Sequence, residues 1–543
     1  MKLRNNMTNA IMKKEWLKIK LYFIFLMSII AISQVNFLFN INFDFSTIEP
    51  ESMLWYKFVH LQDKPYFYSV YLYLFLGFSI AVVQFLPEKI NNRIKIMAHL
   101  PLSLRDSLFI HLFIGMIFTL ILFVVLSTSI VLIMIDYYPE VIIQTTLKDT
   151  VVYSLLSIIV YLGISAIILE KKLFILVIKF IFLVAIIFSF LKEQYTYFDF
   201  LMVFFVIFMP FLVLDSFYSI KEQRLDSIYF KIAFLLISLV LVYSSYKNYH
   251  KNYQYEFNKY YIFYSNVIDD FVYQKNFGKH YFEYGVKDSN TFDRVEYESY
   301  LPFVYWRNLD IQGKLPLSIK EKIFDKNSIK NSRLGFSYHP VDLEKREVEL
   351  YPFFNPISDK GMIPFPEEMF TITSTGSFVY NFDDRISLNL SDELTMKLNA
   401  KKFAYPASNI WGKTTNMKPF DKGYLVLDNN NNLFNIKRKN DKITVDKIAY
   451  PKDIELAFVK ISENKQKKLS GYAIDTKSNF YLLDWDFKFY KINLPNFDYQ
   501  FMKLKFISNP MNYLIRYDNG SAYHAVALTR DNGYKQIKYI EIN

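Results

Sequence analysis

The 543-residue chain has no cysteine. This excludes a disulfide-stapled fold, a Cys-ligated zinc or iron–sulfur centre and a thiol nucleophile. Signatures of catalysis are equally scarce. There is no G-x-S-x-G elbow and no H-E-x-x-H, and His250, His280, His339 and His524 are not spaced to share a metal. The nearest approach to a phosphate cradle is Gly412-Lys413-Thr414-Thr415. That motif needs a glycine five residues before its Gly-Lys pair, where this chain has Ala407, and Pro406 and Pro419 frame the stretch as a loop. Asp and Glu are plentiful, but no pair stands out as acid and base. The residues therefore predict no catalytic set, cofactor or metal.

What the chain does have is apolar and aromatic mass: 52% of its residues are hydrophobic and 19% aromatic. These residues are unevenly spread. A membrane-crossing helix needs about 20 apolar residues for ~30 Å of hydrocarbon. Seven stretches approach that length: 21–41, 66–87, 107–135, 150–169, 173–191, 200–218 and 228–246. A single soluble enzyme is excluded. The first stretch is an anchor rather than a leader peptide, because its apolar core is long and Gln34-Val35-Asn36 offers no cleavage site. Abundant Lys, Asn, Ile, Phe and Tyr fit an AT-rich bacterial genome.

Charge sets the expected orientation. With the N-terminus in the cytosol, inner segments hold fourteen Lys and Arg, and outer loops hold Lys57, Lys64, Lys148 and Lys192. Seven crossings then place residues 247–543 outside the plasma membrane, in the periplasm where there are two membranes. Residues 1–20 form an expected interfacial helix, with Ile11, Met12, Trp16 and Ile19 near one face and lysines mostly elsewhere. Lys179 is expected to snorkel, and Asp215 and Glu170 to lie shallow near helix ends.

Within the membrane domain (21–246), the segment 88–106 mixes charge with an apolar stripe, Ile90, Ile94 and Met97, then breaks at Leu100-Pro101. Glu88 and Arg93, followed by an apolar stretch and Leu100-Pro101-Leu102-Ser103, resemble the coupling helix of type-2 ABC exporter permeases. Met12-Lys13-Lys14-Glu15-Trp16 is similar to the entry of the same family. The resemblance covers residues 1–230. It implies that Glu88, Arg93, His99, Leu100, Pro101 and Leu102 dock on a separate ATPase subunit whose closure rocks the bundle. It also implies a second permease copy or related subunit across a symmetric interface.

Residues 247–543 alternate apolar and polar with Gly, Asn and Asp at turns, which predicts an all-β domain with short helices near 318–325 and Leu390–Ala400. Three segments repeat: Gly423–Asp428, Gly471–Asp475 and Tyr513–Asp518, each with an Asp opening a hairpin and an aromatic soon after. A looser copy surrounds Gly376. Spacings of 47 and 43 between Asp428, Asp475 and Asp518 suit one propeller blade per repeat, with paired stacked sheets as the alternative. Trp411, Trp485, Tyr424 and Tyr472 are expected in blade packing rather than at a sugar- or peptide-binding rim. Phe403–Gly423 and Phe292–Pro316 resemble a bacterial family that joins such a permease half to a β-rich tail of unestablished role. The tail's 43 basic and 36 acidic residues do not point to nucleic acid.

The expectation is a non-catalytic transporter subunit in the lipid bilayer, with an external β-domain that handles substrate or docks an envelope protein. The alternative is a membrane-anchored envelope assembly protein without transport activity.

Overall fold

A computed structural model describes every residue except 1, 50–51, 91–92, 99–102, 193–196, 221–227, 254–258, 290, 344–347, 358–361, 382–385, 452, 532 and 543. The chain divides into two compact units, Met1–Tyr249 with Lys345–Leu350, and His250–Glu344 with Tyr351–Asn543.

The first unit is helical: α1 (Lys2–Thr47), α2 (Ser69–Ile90), α3 (Ile94–Ala98), α4 (Leu104–Ile135), α5 (Glu140–Leu169), α6 (Leu173–Lys192), α7 (Tyr197–Ser219) and α8 (Ile228–Tyr253). Among the described residues six of these, α1, α2 and α4–α7, are long and apolar enough to cross a bilayer. The expected seventh crossing is helical, and among the described residues its apolar part covers Phe234–Tyr246. α1 runs unbroken through residue 20, so no separate interfacial helix forms as an element. At 1.5 Å per residue its 46 residues reach about 69 Å, and part of it stands clear of the hydrocarbon. Its buried face is also not the expected one. Ile11, Glu15 and Ile19 point inward, while Met12 and Trp16 are largely exposed.

α5 is the central helix, packed against α2, α4, α6 and α7. It begins ten residues before the expected stretch, because Glu140–Asp149, a mixed polar and apolar run with Ile142 and Ile143 buried, is helical too. Close approach depends on small residues. A Cβ at Gly77 of α2 would lie 2.3 Å from the Ser157 carbonyl oxygen of α5, and one at Gly115 of α4 would lie 2.1 Å from the Tyr161 hydroxyl.

The second unit is β-rich. β1 (Tyr260–Ser265), β2 (Asp270–Asn276), β3 (Phe282–Val286) and β4 (Thr291–Phe292) form an antiparallel sheet in chain order. α9 (Arg294–Tyr300) and α10 (Trp306–Ile311) lead to the hairpin β5 (Leu317–Ile319)–β6 (Lys322–Phe324), then α11 (Lys326–Ser332) and β7 (Gly335–Tyr338). The helix expected near 318–325 is therefore a hairpin. Lys320 and Glu321 take φ of 50° and 64° at its turn, and helix formation waits for the Asp325 side chain to accept from the Ser328 N–H. β8 (Tyr351–Pro352), β9 (Met369–Thr373) and β10 (Gly376–Tyr380) form the next sheet, followed by α12 (Leu388–Ala400), which matches the other expected helix.

Three four-stranded meanders complete the chain: β11 (Ala407–Gly412), β12 (Tyr424–Asp428), β13 (Leu433–Lys439) and β14 (Lys442–Ile448); β15 (Leu456–Ile461), β16 (Leu469–Asp475), β17 (Phe480–Asp484) and β18 (Phe489–Ile492); β19 (Lys503–Ser508), β20 (Asn512–Asp518), β21 (Tyr523–Thr529) and β22 (Gln536–Ile542). β7 adds to the free edge of β19.

The repeated Asp residues occupy equivalent hairpins, between the second and third strands of each meander. Asp428 and Asp475 build the same turn. Each carboxylate accepts from the backbone N–H groups two and four residues on, with Asn431 and Ser478 in the left-handed region. Asp518 makes a different turn, accepting from Gly520 N–H at 3.1 Å.

Strict apolar–polar alternation fails in the middle strands. β12, β16 and β21 are buried along nearly their whole length, because neighbouring sheets cover both their faces. On β12, Tyr424 and Val426 pack toward β9, β10 and α12, while Leu425 and Leu427 pack toward β15–β17. Tyr472 and Ile474 of β16 meet Tyr513 and Ile515 of β20. Leu514, Ala525 and Ala527 then meet β1 and β2. Five sheets thus share cores in sequence.

Candidate functional site: the α2–α3 segment and its polar network

α2 ends at Ile90 and α4 starts at Leu104, where the Ser103 hydroxyl accepts from the Asp106 N–H at 3.0 Å. Between them lies α3, one turn and a half of helix. Glu88 is buried at 2% exposure, whereas Arg93 is exposed and is not Glu88's partner. Glu88 instead faces α1, 2.8 Å from Lys14 Nζ and 3.1 Å from Lys18 Nζ. The apolar stripe is split, with Ile94 buried and Ile90 exposed. His99, Leu100, Pro101 and Leu102 lie outside the described residues.

Lys18 joins three groups. Its ammonium donates to Glu15 Oε1 at 2.8 Å, to the Gln84 carbonyl oxygen at 2.8 Å and to Glu88. Glu15 is fully buried, with His111 Nε2 of α4 at 3.8 Å. Gln84 donates to the His111 carbonyl oxygen and accepts from the Tyr161 hydroxyl of α5, both at 2.7 Å. A buried charge survives only when paired and hydrogen-bonded, so two lysines and two carboxylates lock the end of α2 to α1.

The next residue extends the network. Lys89 Nζ donates to the Glu170 carbonyl oxygen at 3.1 Å, tying α2 to the C-terminus of α5. Glu170 accepts from Lys171 and Lys172 N–H groups through Oε1 and from Lys179 Nζ of α6 through Oε2 at 2.9 Å. Lys179 also donates to Asp215 and Ser216 of α7, at 2.9 and 2.7 Å. Lys179 therefore does not snorkel. It is 4% exposed and centred between two carboxylates, Glu170 and Asp215, which lie near the ends of α5 and α7 as expected but are buried ion-pair partners rather than separate charges. Near the start of α2, Lys64 and the Tyr66 hydroxyl both donate to Asp149 Oδ2 of α5.

Of the segment predicted to couple, Glu88 contacts α1 and Lys89 contacts the end of α5; α4 is reached through Gln84 earlier on α2, and α6 and α7 through Glu170 and Lys179. Sequence reasoning noted most of these ionisable groups singly and missed that they pair. The available signal was topological: Glu88, Lys89, Glu170 and Asp215 lie in the last turns of α2, α5 and α7 or just past them, Lys179 lies two turns into α6, and Glu15 and Lys18 precede the first apolar stretch, all on the side that alternation gives these ends. In the described residues no group of three or more His, Asp or Glu is placed to hold a metal.

In the β unit, Tyr424 and Tyr472 are fully buried, donating to the Pro352 and Ser337 carbonyl oxygens at 2.7 and 3.0 Å. Trp411 packs against the core and Trp485 lines a cleft. No helix follows Gly412, so Gly412-Lys413-Thr414-Thr415 lacks the phosphate-binding geometry.

Residues 261–528 match a family described as a domain of unknown function (DUF4857). The curated proteins and the solved structures gave no match to this chain.

Proposed function

We propose that the chain is the membrane-spanning permease subunit of an ABC transporter, driven by a separate ATPase subunit. One observation carries this reading: the end of α2, just before α3, is bonded through Glu88 to Lys14 and Lys18 of α1 and through Lys89 to the Glu170 carbonyl oxygen at the end of α5, and the Glu170 carboxylate in turn holds Lys179 of α6. A push delivered to the end of α2 is then shared with α1 and α5, and through Glu170 and Lys179 with α6 and α7. The resemblance of Glu88–Ser103 to a coupling helix supports the same role. Arg93, just before α3, and Lys95 and Ile96 on it, all exposed, form the docking face. The N-terminus is cytosolic, α8 is a seventh crossing, and the β-rich unit is an extracytoplasmic, propeller-like domain that handles substrate or docks an envelope protein. Five sheets sharing cores in sequence support the propeller-like reading. A second copy or related subunit completes the permease.

The test is copurification from intact membranes with an ATPase, followed by ATP turnover with and without the chain. Arg93→Glu with Ile96→Asp alters only exposed positions. It should abolish capture and stimulation while leaving thermal stability unchanged. If both variant and parent fail to bind or stimulate an ATPase, the transport reading is wrong and the helices are an anchor.

A further inference from the structure

Between the β11–β14 and β15–β18 sheets lies a cleft of about 360 Å³, within the range of small-molecule sites. Its walls are aromatic: Phe420 and Trp485 meet edge to face at 6.3 Å, and Phe487 stands beside them. Its charged lining is mixed but mostly cationic, five Lys and Arg against three Asp. Lys422 Nζ sits 4.2 Å from the Trp485 ring centre and 4.5 Å from that of Phe487, and donates to the Trp485 carbonyl oxygen. Lys467 Nζ sits 4.1 Å from the Phe420 ring centre, and Lys437 enters from β13.

Among the described residues none of these three lysines has a carboxylate ion pair, although Asp446 and Asp486 line the same cleft. Burial, with the Lys437 charge second, lowers the Lys422 ammonium to about 8, with Asp486, Asp484 and Glu463 opposing the shift. Holding like charges together over aromatic faces costs free energy that an anion of matching shape would recover. The loop that delivers Phe420 and Lys422 is itself rigidly held. Lys418, fully buried, bonds Asp421 at 2.7 Å and Glu463 at 3.2 Å, and Glu463 accepts from the Lys422 N–H at 2.8 Å.

We propose that this cleft binds a hexose ring carrying one anionic group, a phosphate or a carboxylate. The anion sits between Lys422 and Lys437, the C–H face of the ring packs on Trp485 with Phe420 at its edge, and ring hydroxyls donate to Asp446 and Asp486. The proposal does not depend on the transport reading.

The test is calorimetry on the full chain in lipid nanodiscs, titrated with glucose 6-phosphate, glucuronate, glucose and inorganic phosphate. The two sugar arms separate a phosphate from a carboxylate ligand, and saturable binding of either supports the site. Glucose and inorganic phosphate should each bind at least about tenfold more weakly, because each lacks one half of the recognition. Lys437→Gln and Trp485→Leu should each weaken the sugar acid by about tenfold or more, and Lys505→Gln, outside the cleft, should change nothing. Failure of both sugar acids to bind, inorganic phosphate binding as tightly as glucose 6-phosphate, or affinity unchanged in Lys437→Gln would each overturn the proposal.

Discussion

Glu463 shares a buried cluster with one lysine and a second carboxylate, so the trio carries one negative charge too many. Burial, reinforced by Asp421, raises its carboxyl to about 7 against an ordinary 4.5, and its Oε2 has no hydrogen-bond partner among the described residues. Because the folded value is the higher one, this group's contribution to stability is complete below about pH 4.5. It is lost as pH rises through 7. Glu463→Gln should therefore raise the unfolding free energy of the β-rich unit at pH 8, on the order of 1–3 kcal/mol, and leave it nearly unchanged at pH 5. Thermal melts at the two pH values check this. Lys418→Met does the opposite, stranding two carboxylates at a cost of about 3–5 kcal/mol. In the helical unit Lys179→Met strands Glu170 and Asp215. Its melting temperature in detergent should fall well below that of Lys172→Met, which removes a lysine that contributes only its backbone N–H to the network.

Two elements depend on glycine for geometric reasons. Gly77 lets α2 touch α5, and since the obstructing atom is a backbone oxygen, Ser157→Ala cannot relieve Gly77→Ala. Both the single and the double variant should lose about 1–3 kcal/mol, read as reduced thermal stability. Gly471 sits at a register shift of β16 with φ 148°, where an added Cβ would lie 1.8 Å from the Lys460 carbonyl oxygen. Gly471→Ala should destabilise the β15–β18 sheet by at least a few kcal/mol, seen as early loss of amide protection in β15 and β16. Elements were legible where the pattern was local and long. Six apolar helices and the Asp428 and Asp475 hairpins could be read directly. The 318–325 hairpin could not, because two non-glycine residues at positive φ leave almost no mark in sequence.

At the scale of the whole molecule the absence of cysteine becomes an experimental asset. Single-cysteine variants at Ile96 and Met417, both exposed, report topology without background labelling. With the proposed orientation, an impermeant maleimide should label Met417→Cys in whole cells and Ile96→Cys only after lysis. The reverse pattern would place the β-rich unit in the cytosol and remove α3 from any cytosolic ATPase.

Hydropathy and turn chemistry alone determined that a helical membrane unit precedes a β-rich one, and that its hairpins recur at a near-constant interval. Both are set by neighbours within a few residues of each other, which periodicity records. Tertiary structure alone decided that Glu88 faces Lys14 and Lys18 rather than Arg93, that Lys179 is clamped by Glu170 and Asp215, and that Lys422 stands over Trp485. Those partners lie up to 74 positions apart in the chain, and nothing local distinguishes a buried, paired charge from a solvated one until the helices and sheets close around it.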